Sequence, residues 1–323
     1  MKNATQRADY DSPWKEIVEQ FFVEFVDFFF PDIYADIDWV KGYEFLNQEL
    51  QKIVRDSQTD RRRVDKLVKV WRKNGEETWI AIHIEIQGWW EADFGKRMYQ
   101  YHTLLYNHYQ QQIVSLAILS DKNPHWKPDT FQYDLWGCKI RFDFPIVKLL
   151  AYKERWDALE QSNNPFAIVV MAHLQEQETT SDSPQRLDVK FRLIRRLYER
   201  GYNRRQILEL FRFIDWIMLL SPKLATDFET KIGAYEEERK MKYVTSIERR
   251  AIERGLEQGL EQGSKKSKRD AIMQVLTLRF NSIPTDLRLR LEEISDISQL
   301  KKLLDWAVLD PSVEIFADHA MEM

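Results

Sequence analysis

Apolar and polar positions alternate most sharply in TWIAIHIEIQG, residues 78–88. Ile80, Ile82, Ile84 and Ile86 fall on one side; Trp79, Ala81, His83, Glu85 and Gln87 fall on the other. A period of two predicts a half-buried β-strand. VDKLVKVW, residues 64–71, reads as its partner, and Asn74-Gly75 between them is a hairpin signal. The spacing then turns helical over about 93–111, and IVSLAILS predicts a third strand over 113–120. FQYDLWGCKIRFDFPIVKLL, residues 131–150, offers one or two more. Upstream, SPWKEIVEQ and FFVEFVDFFF keep helical spacing until Pro31, which predicts one helix over about 13–30. Ser12 suits its N-cap, Pro13 its first position and Glu16 a capping-box role. Residues 31–50 are acidic, aromatic and irregular.

Beyond about residue 155 strand signals vanish. Residues 185–220 predict two amphipathic helices joined near Gly201-Tyr202-Asn203. The charged stretch 236–262 runs into RGLEQGLEQG, with Gly255, Gly259 and Gly263 recurring every four residues. Glycine costs a helix about 1 kcal/mol, so this predicts a frayed or partner-stabilised segment. A basic SKKSKRD then leads into a small helical module over about 269–316. The order strand, hairpin, helix, strand, then helices is α/β. It divides into a core over 1–160, a helical extension over 161–263 and a closing module over 264–323.

Composition narrows the picture. The 323 residues are 44% hydrophobic and 31% charged with a net charge of −4, so any polyanion-binding surface must be local. A single cysteine, Cys138, excludes a disulfide framework or a cysteine-rich zinc site and fits a reducing cytoplasm. MKNATQRADYDSPW has no apolar h-region, and FFVEFVDFFF is too short and too charged to span a bilayer, so neither a signal peptide nor a membrane partner is expected.

The hairpin carries the candidate chemistry. Antiparallel pairing around Asn74-Gly75 brings Asp65, near the start of the first strand, toward Glu85 and Gln87 at the end of the second. Two carboxylates and an amide converging there suit a hard cation such as Mg²⁺, which keeps waters for a phosphate substrate. Solvated carboxylates on an open hairpin face are the equally weighted alternative.

VDKLVKV, the hairpin, IHIEIQG and the helix bearing RMYQYHTLLY together resemble the recombination-promoting nuclease and putative transposase family, part of the PD-(D/E)XK nuclease superfamily. YDSPWKEIVEQFF resembles that family's first helix, and the glycine repeat resembles its tail; the likeness covers about residues 9–263. It implies a restriction-endonuclease-like core, a small mixed sheet flanked by helices, followed by a mainly α-helical C-terminal half. It implies a metal-dependent DNA endonuclease in which Asp65 and Glu85 bind Mg²⁺ or Mn²⁺, with Glu19 or Asp11 from the first helix as a further ligand. Gln87 stands where the superfamily has lysine, an E-x-Q form that the family shows. Glutamine offers only a dipole, so Lys66, Lys69, Lys96 or Arg97 becomes a candidate for the missing charge. DNA is the implied partner, and cutting both strands favours a homodimer. A retired nuclease fold serving as a DNA-binding or oligomeric scaffold is the alternative, and an interaction protein is the third reading.

Residues 186–212 hold nine basic residues against three acidic ones, with Arg195, Arg196, Arg204 and Arg205 interleaved with Tyr198 and Tyr202. They suit either a DNA backbone track or a face paired with the acidic first 60 residues. Trp89, Trp90 and Tyr99 suit base stacking or sheet coverage, with coverage favoured. His83 reads first as a packing residue. His102 and His108 are six apart, which does not put both on one helical face for a metal. Cys138 reads as an inert strand residue.

Overall fold

A computed structural model describes residues 11–46, 66–75, 77–85, 93–239, 263–265, 267–280, 283–294 and 296–321, with the backbone course alone over 77–85. The chain forms two compact units, one over 10–243 and one containing 244–323.

The larger unit is mixed α/β. The expected first helix is two: α1 (Asp11–Gln20) and α2 (Phe22–Phe29). Phe21 between them leaves helical geometry at φ −130°, ψ 45°. Phe22 then meets Tyr43 and Phe45 at 4.9 and 5.5 Å, while Phe25 and Phe29 pack on Phe166. The helix begins at Asp11, so Ser12 lies inside it; Glu16 pairs with Arg212 at 3.2 Å in place of the expected capping role.

Residues 31–46 are not irregular. Helix α3 (Pro31–Asp36) leads through a 3₁₀ turn to β1 (Tyr43–Phe45), which adds to the edge of β2 (Lys66–Trp71). Strand β3 (Glu77–Glu85) is antiparallel to β2. Gly75 N donates to Arg72 O at 2.9 Å in the turn between them. Helix α4 (Phe94–Tyr109) crosses over to β4 (Ile113–Leu119), parallel to β3, as parallel neighbours require. β5 (Thr130–Leu135) and β6 (Cys138–Asp143) form a separate hairpin. β7 (Ile146–Lys148) returns to the main sheet beside β4, giving the order β1-β2-β3-β4-β7.

Both faces of the sheet are covered. Leu67, Tyr101, Leu105 and Ile113 form one buried cluster, and Phe94, Met98, Ala117, Leu119, Trp126 and Phe144 another, so α4 lies on that side. Helix α1 packs on β3. β4 is buried at all but one position, as a central parallel strand should be. Gly95 is where α4 meets the hairpin: a Cβ there would sit 2.5 Å from Thr130 O. Gly95→Ala is therefore expected to cost about 1–3 kcal/mol, read from hydrogen-exchange protection of the α4 and β4 amides, because a backbone atom cannot step aside. Unchanged protection would mean that helix and hairpin do not pack this closely.

Helices complete the unit: α5 (Trp156–Gln161), α6 (Pro165–Glu178), α7 (Pro184–Glu199), α8 (Arg204–Ile217) and α9 (Pro222–Arg239). α6 is buried continuously from Pro165 to Leu174, as expected of a helix that is apolar all round. It contacts α2, α7 and α8, and α8 also lies against α1, so the helices over 165–239 fold onto the sheet-bearing part. α7 and α8 match the expected pair, and Asn203 and Gln206 make a reciprocal capping box. The glycine repeat at 254–262 lies outside the described residues.

In the smaller unit, helix α10 (267–280) joins α11 (Thr285–Glu293), α12 (Ile297–Leu309) and α13 (Val313–Met321) around Ile272, Leu276, Leu287, Leu300, Leu303 and Phe316. Arg279 donates to Ala307 O at 2.8 Å and Arg290 to Ala320 O at 3.3 Å, satisfying carbonyls near helix ends. Asp296 caps α12 by accepting from Ser298 N and Gln299 N, and these bonds hold its carboxyl below the usual range.

Candidate functional site

One edge of the main sheet gathers charged positions. β2 begins at Lys66 where antiparallel β3 approaches its end; Lys66 pairs in register with Ile82, and Glu85 closes the strand three residues on. Parallel pairing sets Glu85 beside Leu119, and Leu119 beside Lys148. Ser120 and Asp121 follow β4 directly. This is the carboxyl end of the parallel strands, where open α/β sheets commonly place ligands.

Of the expected site residues, the structure brings Glu19 and Lys66 together: the Lys66 ammonium, 9% exposed, donates to Glu19 Oε2. Its Nζ also lies 5.7 Å from the Phe45 ring centroid. Asp11 opens α1, more than two turns from Glu19. Asp65, Gln87, Trp89 and Trp90 lie outside the described residues, and Glu85 and His83 are placed by backbone alone. Among the described residues no group of three or more His, Cys, Asp or Glu side chains is placed to hold a metal ion. Glu19 is already neutralised by Lys66, so the described residues do not by themselves fit a divalent cation.

Beside Glu19 opens a cavity of about 510 Å³ whose lining includes Glu24, Tyr43, Phe45, Arg205 and Glu209. Burial, and then the Glu24 carboxylate, raise the Tyr43 hydroxyl pKa above its ordinary value.

The basic stripe is divided. Arg186 is buried and donates to Thr179 Oγ1 at 2.9 Å and Glu176 O at 2.8 Å. Lys190 is buried, 2.5 Å from Asp215 Oδ1. Arg196 reaches Glu160 at 2.8 Å, and Arg200 donates to the Ser162 and Glu160 carbonyls. Arg212 and Arg205 reach back to α1, to Glu16 at 3.2 Å and Gln20 Oε1 at 3.1 Å. Arg195 lies 3.2 Å from Glu199, and Arg204 is exposed. Lys96 is exposed on the first turn of α4, while Arg97 lies over the Phe94 ring at 5.1 Å. Lys69 lies over Trp71 at 5.1 Å.

Tyr99 covers the fold: it stacks on Phe131 at 5.0 Å. His102 sits 4.6 Å from Phe142 and 3.4 Å from Ser115 Oγ, and burial lowers its pKa. His108 is exposed. Cys138 is exposed too and opens β6, the strand position expected of it.

The sequence reading missed a buried charged pair at this edge. The side chains of Lys148 and Asp121 pair at 5% and 2% exposure. Lys148 also donates to Trp126 O at 3.2 Å, and Asp121 Oδ1 accepts from Asn123 N at 2.8 Å. Next to them the Ser120 carbonyl accepts from Gln177 Nε2 and lies 3.4 Å from His173 Nε2. The available signal was Asp121 closing an otherwise apolar strand and Lys148 ending IVK.

Comparison with known proteins adds no identity: no family model, no curated protein and no solved structure matches the chain.

Proposed function

We propose that the chain is a metal-dependent DNA endonuclease of the recombination-promoting type, built on a PD-(D/E)XK core. The reading rests on the resemblance of residues 64–106. The supporting observation is the antiparallel β2–β3 pair, crossover helix α4 and parallel β4, with Glu85 closing β3 at the edge where Lys66 holds Glu19. In this reading Asp65 and Glu85 hold Mg²⁺ or Mn²⁺, and Gln87 orients the water or the scissile phosphate. The metal supplies charge neutralisation at the phosphoryl group. Lys66, which opens β2 beside the end of β3, is the candidate for the charge that Gln87 lacks. DNA would approach from the exposed Lys96 side. Among the described residues no helix is long and apolar enough to cross a membrane.

The test is a plasmid-nicking assay with Mg²⁺, Mn²⁺ or EDTA, run beside Glu85→Ala. Metal-dependent cutting that disappears in the variant is expected. Cutting that survives in Glu85→Ala places the activity elsewhere. A DNA-binding or oligomeric scaffold is the second reading; the internal engagement of Arg186, Lys190, Arg196, Arg200 and Arg212 withdraws charge from a DNA track and favours its oligomeric form. Absence of cutting by the wild type in every salt and DNA form would select it.

A further inference from the structure

The cavity beside Glu19, about 510 Å³ in volume, is walled by α1, α2, β1 and the start of α8, all within the larger unit. That is the size of a small-molecule site. Glu19, Glu24 and Glu209 line it against a single cation, Arg205. Lys66 engages Glu19. Glu24 and Glu209 are left without an ion-pair partner among the described residues.

The groups that would favour an anion are engaged elsewhere. Arg205 donates to Gln20 Oε1 at 3.1 Å. The first turn of α8, where an anion would ordinarily settle, is closed by the Asn203–Gln206 capping box. A phosphate entering the cavity would meet two carboxylates that nothing neutralises, so the cavity selects a cation. A metal ion is the wrong shape for it. Among the described residues no group of three His, Cys, Asp or Glu side chains is placed to hold one. Carboxylates spread over the walls suit a cation whose charges are spread along a chain.

The wall between them is aromatic. Tyr43 and Phe45 meet at 5.7 Å, and the buried Phe22 packs against both. The chain's own Lys66 shows which cation this wall accepts. Its ammonium, on a methylene stem, donates to Glu19 and lies 5.7 Å from the Phe45 ring centroid. A primary ammonium held by a carboxylate and an aromatic ring is therefore chemistry already present at the cavity.

We propose that this cavity binds an aliphatic polyamine, with Glu24 and Glu209 holding its ammonium groups and the Tyr43 and Phe45 rings lining its methylene stem. The proposal does not depend on nuclease activity.

Spermidine is titrated calorimetrically into the full chain at physiological salt, without DNA. Saturable one-to-one binding is expected. Glu24→Gln/Glu209→Gln keeps the shape of both side chains and should weaken binding about tenfold or more with unchanged circular dichroism. Glu237→Gln/Glu238→Gln on α9 removes the same charge outside the cavity and should leave binding unchanged. A second measurement needs no substitution. Spermidine should slow hydrogen exchange in α2, β1 and the first turns of α8, the elements that line the cavity. Absence of saturable binding would overturn the proposal. So would equal weakening by the α9 pair, which would mark diffuse attraction to an acidic chain. Mg²⁺ displacing spermidine at equal concentration, or protection that appears only outside these elements, would overturn it as well.

Discussion

Replacing Lys148 by methionine is expected to lower the stability of the 10–243 unit by about 3–5 kcal/mol. The reason lies in burial. The Lys148 ammonium and Asp121 carboxylate are 5% and 2% exposed, so neither can recover water when its partner is removed. Burial holds the Lys148 pKa below its ordinary value, and the bond to Asp121 opposes that effect only in part. The pair is therefore expensive to form, yet more expensive to break. Lys148→Met strands the buried Asp121 carboxylate with the bond it accepts from Asn123 N. The double variant Asp121→Leu/Lys148→Met should recover most of the loss, because it removes the stranded charge along with the pair. Because the chain has two compact units, a single unfolding curve would mix them. Hydrogen exchange of the β4 amides reads the correct unit. A Lys148→Met chain whose β4 protection falls by less than about 1 kcal/mol would mean that water reaches the pair.

The second large effect is acid sensitivity set by His173. The ring is 2% exposed, edge-on to Trp14 at 5.8 Å, and burial lowers its pKa from 6.5 to about 4. The Ser120 carbonyl, which favours the charged ring, and Lys122, which opposes it, act less strongly than burial. The unfolded chain takes up this proton near pH 6.5, whereas the folded chain resists it until about pH 4. Between those values the unfolded state binds more protons, so stability falls as pH falls. The contribution is complete above about pH 6.5 and amounts to about 3 kcal/mol lost by pH 4. His173→Gln removes the titrating group and keeps a side-chain amide that can donate to the Ser120 carbonyl. Hydrogen-exchange protection of the buried α6 amides, measured from pH 7 to pH 4, should then fall less steeply by about that amount. An unchanged slope in the variant would show that His173 is protonated without cost and that the Trp14 pocket admits water.

Much of the fold could be read along the chain. Two-residue alternation in 78–86 and the Asn74-Gly75 turn set β2 against β3. The apolar run 113–119 had to be a covered strand, and the amphipathic spacing of 185–217 had to be a helical pair. These are local signals, carried by side-chain periodicity and turn chemistry within a few residues. The break at Phe21 was not legible, because Phe22 turns toward Tyr43 and Phe45, which come from another part of the chain. Nor was β1, whose three residues gain strand geometry only from the open edge of β2.

The candidate site divides along the same line. Glu85 and Gln87 could be singled out from their alternation with isoleucines, since positions two apart on one strand share a face by geometry alone. That Glu19 would be held by Lys66, 47 residues away in sequence, required α1 to pack on the sheet. The basic run over 186–212 shows the limit most plainly. Sequence counts its charges, but only tertiary packing decides which of them remain for a partner. Arg186 and Lys190 turn inward to backbone carbonyls and Asp215, Arg212 pairs with Glu16, and Arg195 pairs with Glu199 along its own helix. The Asp121–Lys148 pair and the His173 ring belong wholly to the tertiary level. Their consequences come from water excluded by residues distant in sequence, and no pattern along the chain records that.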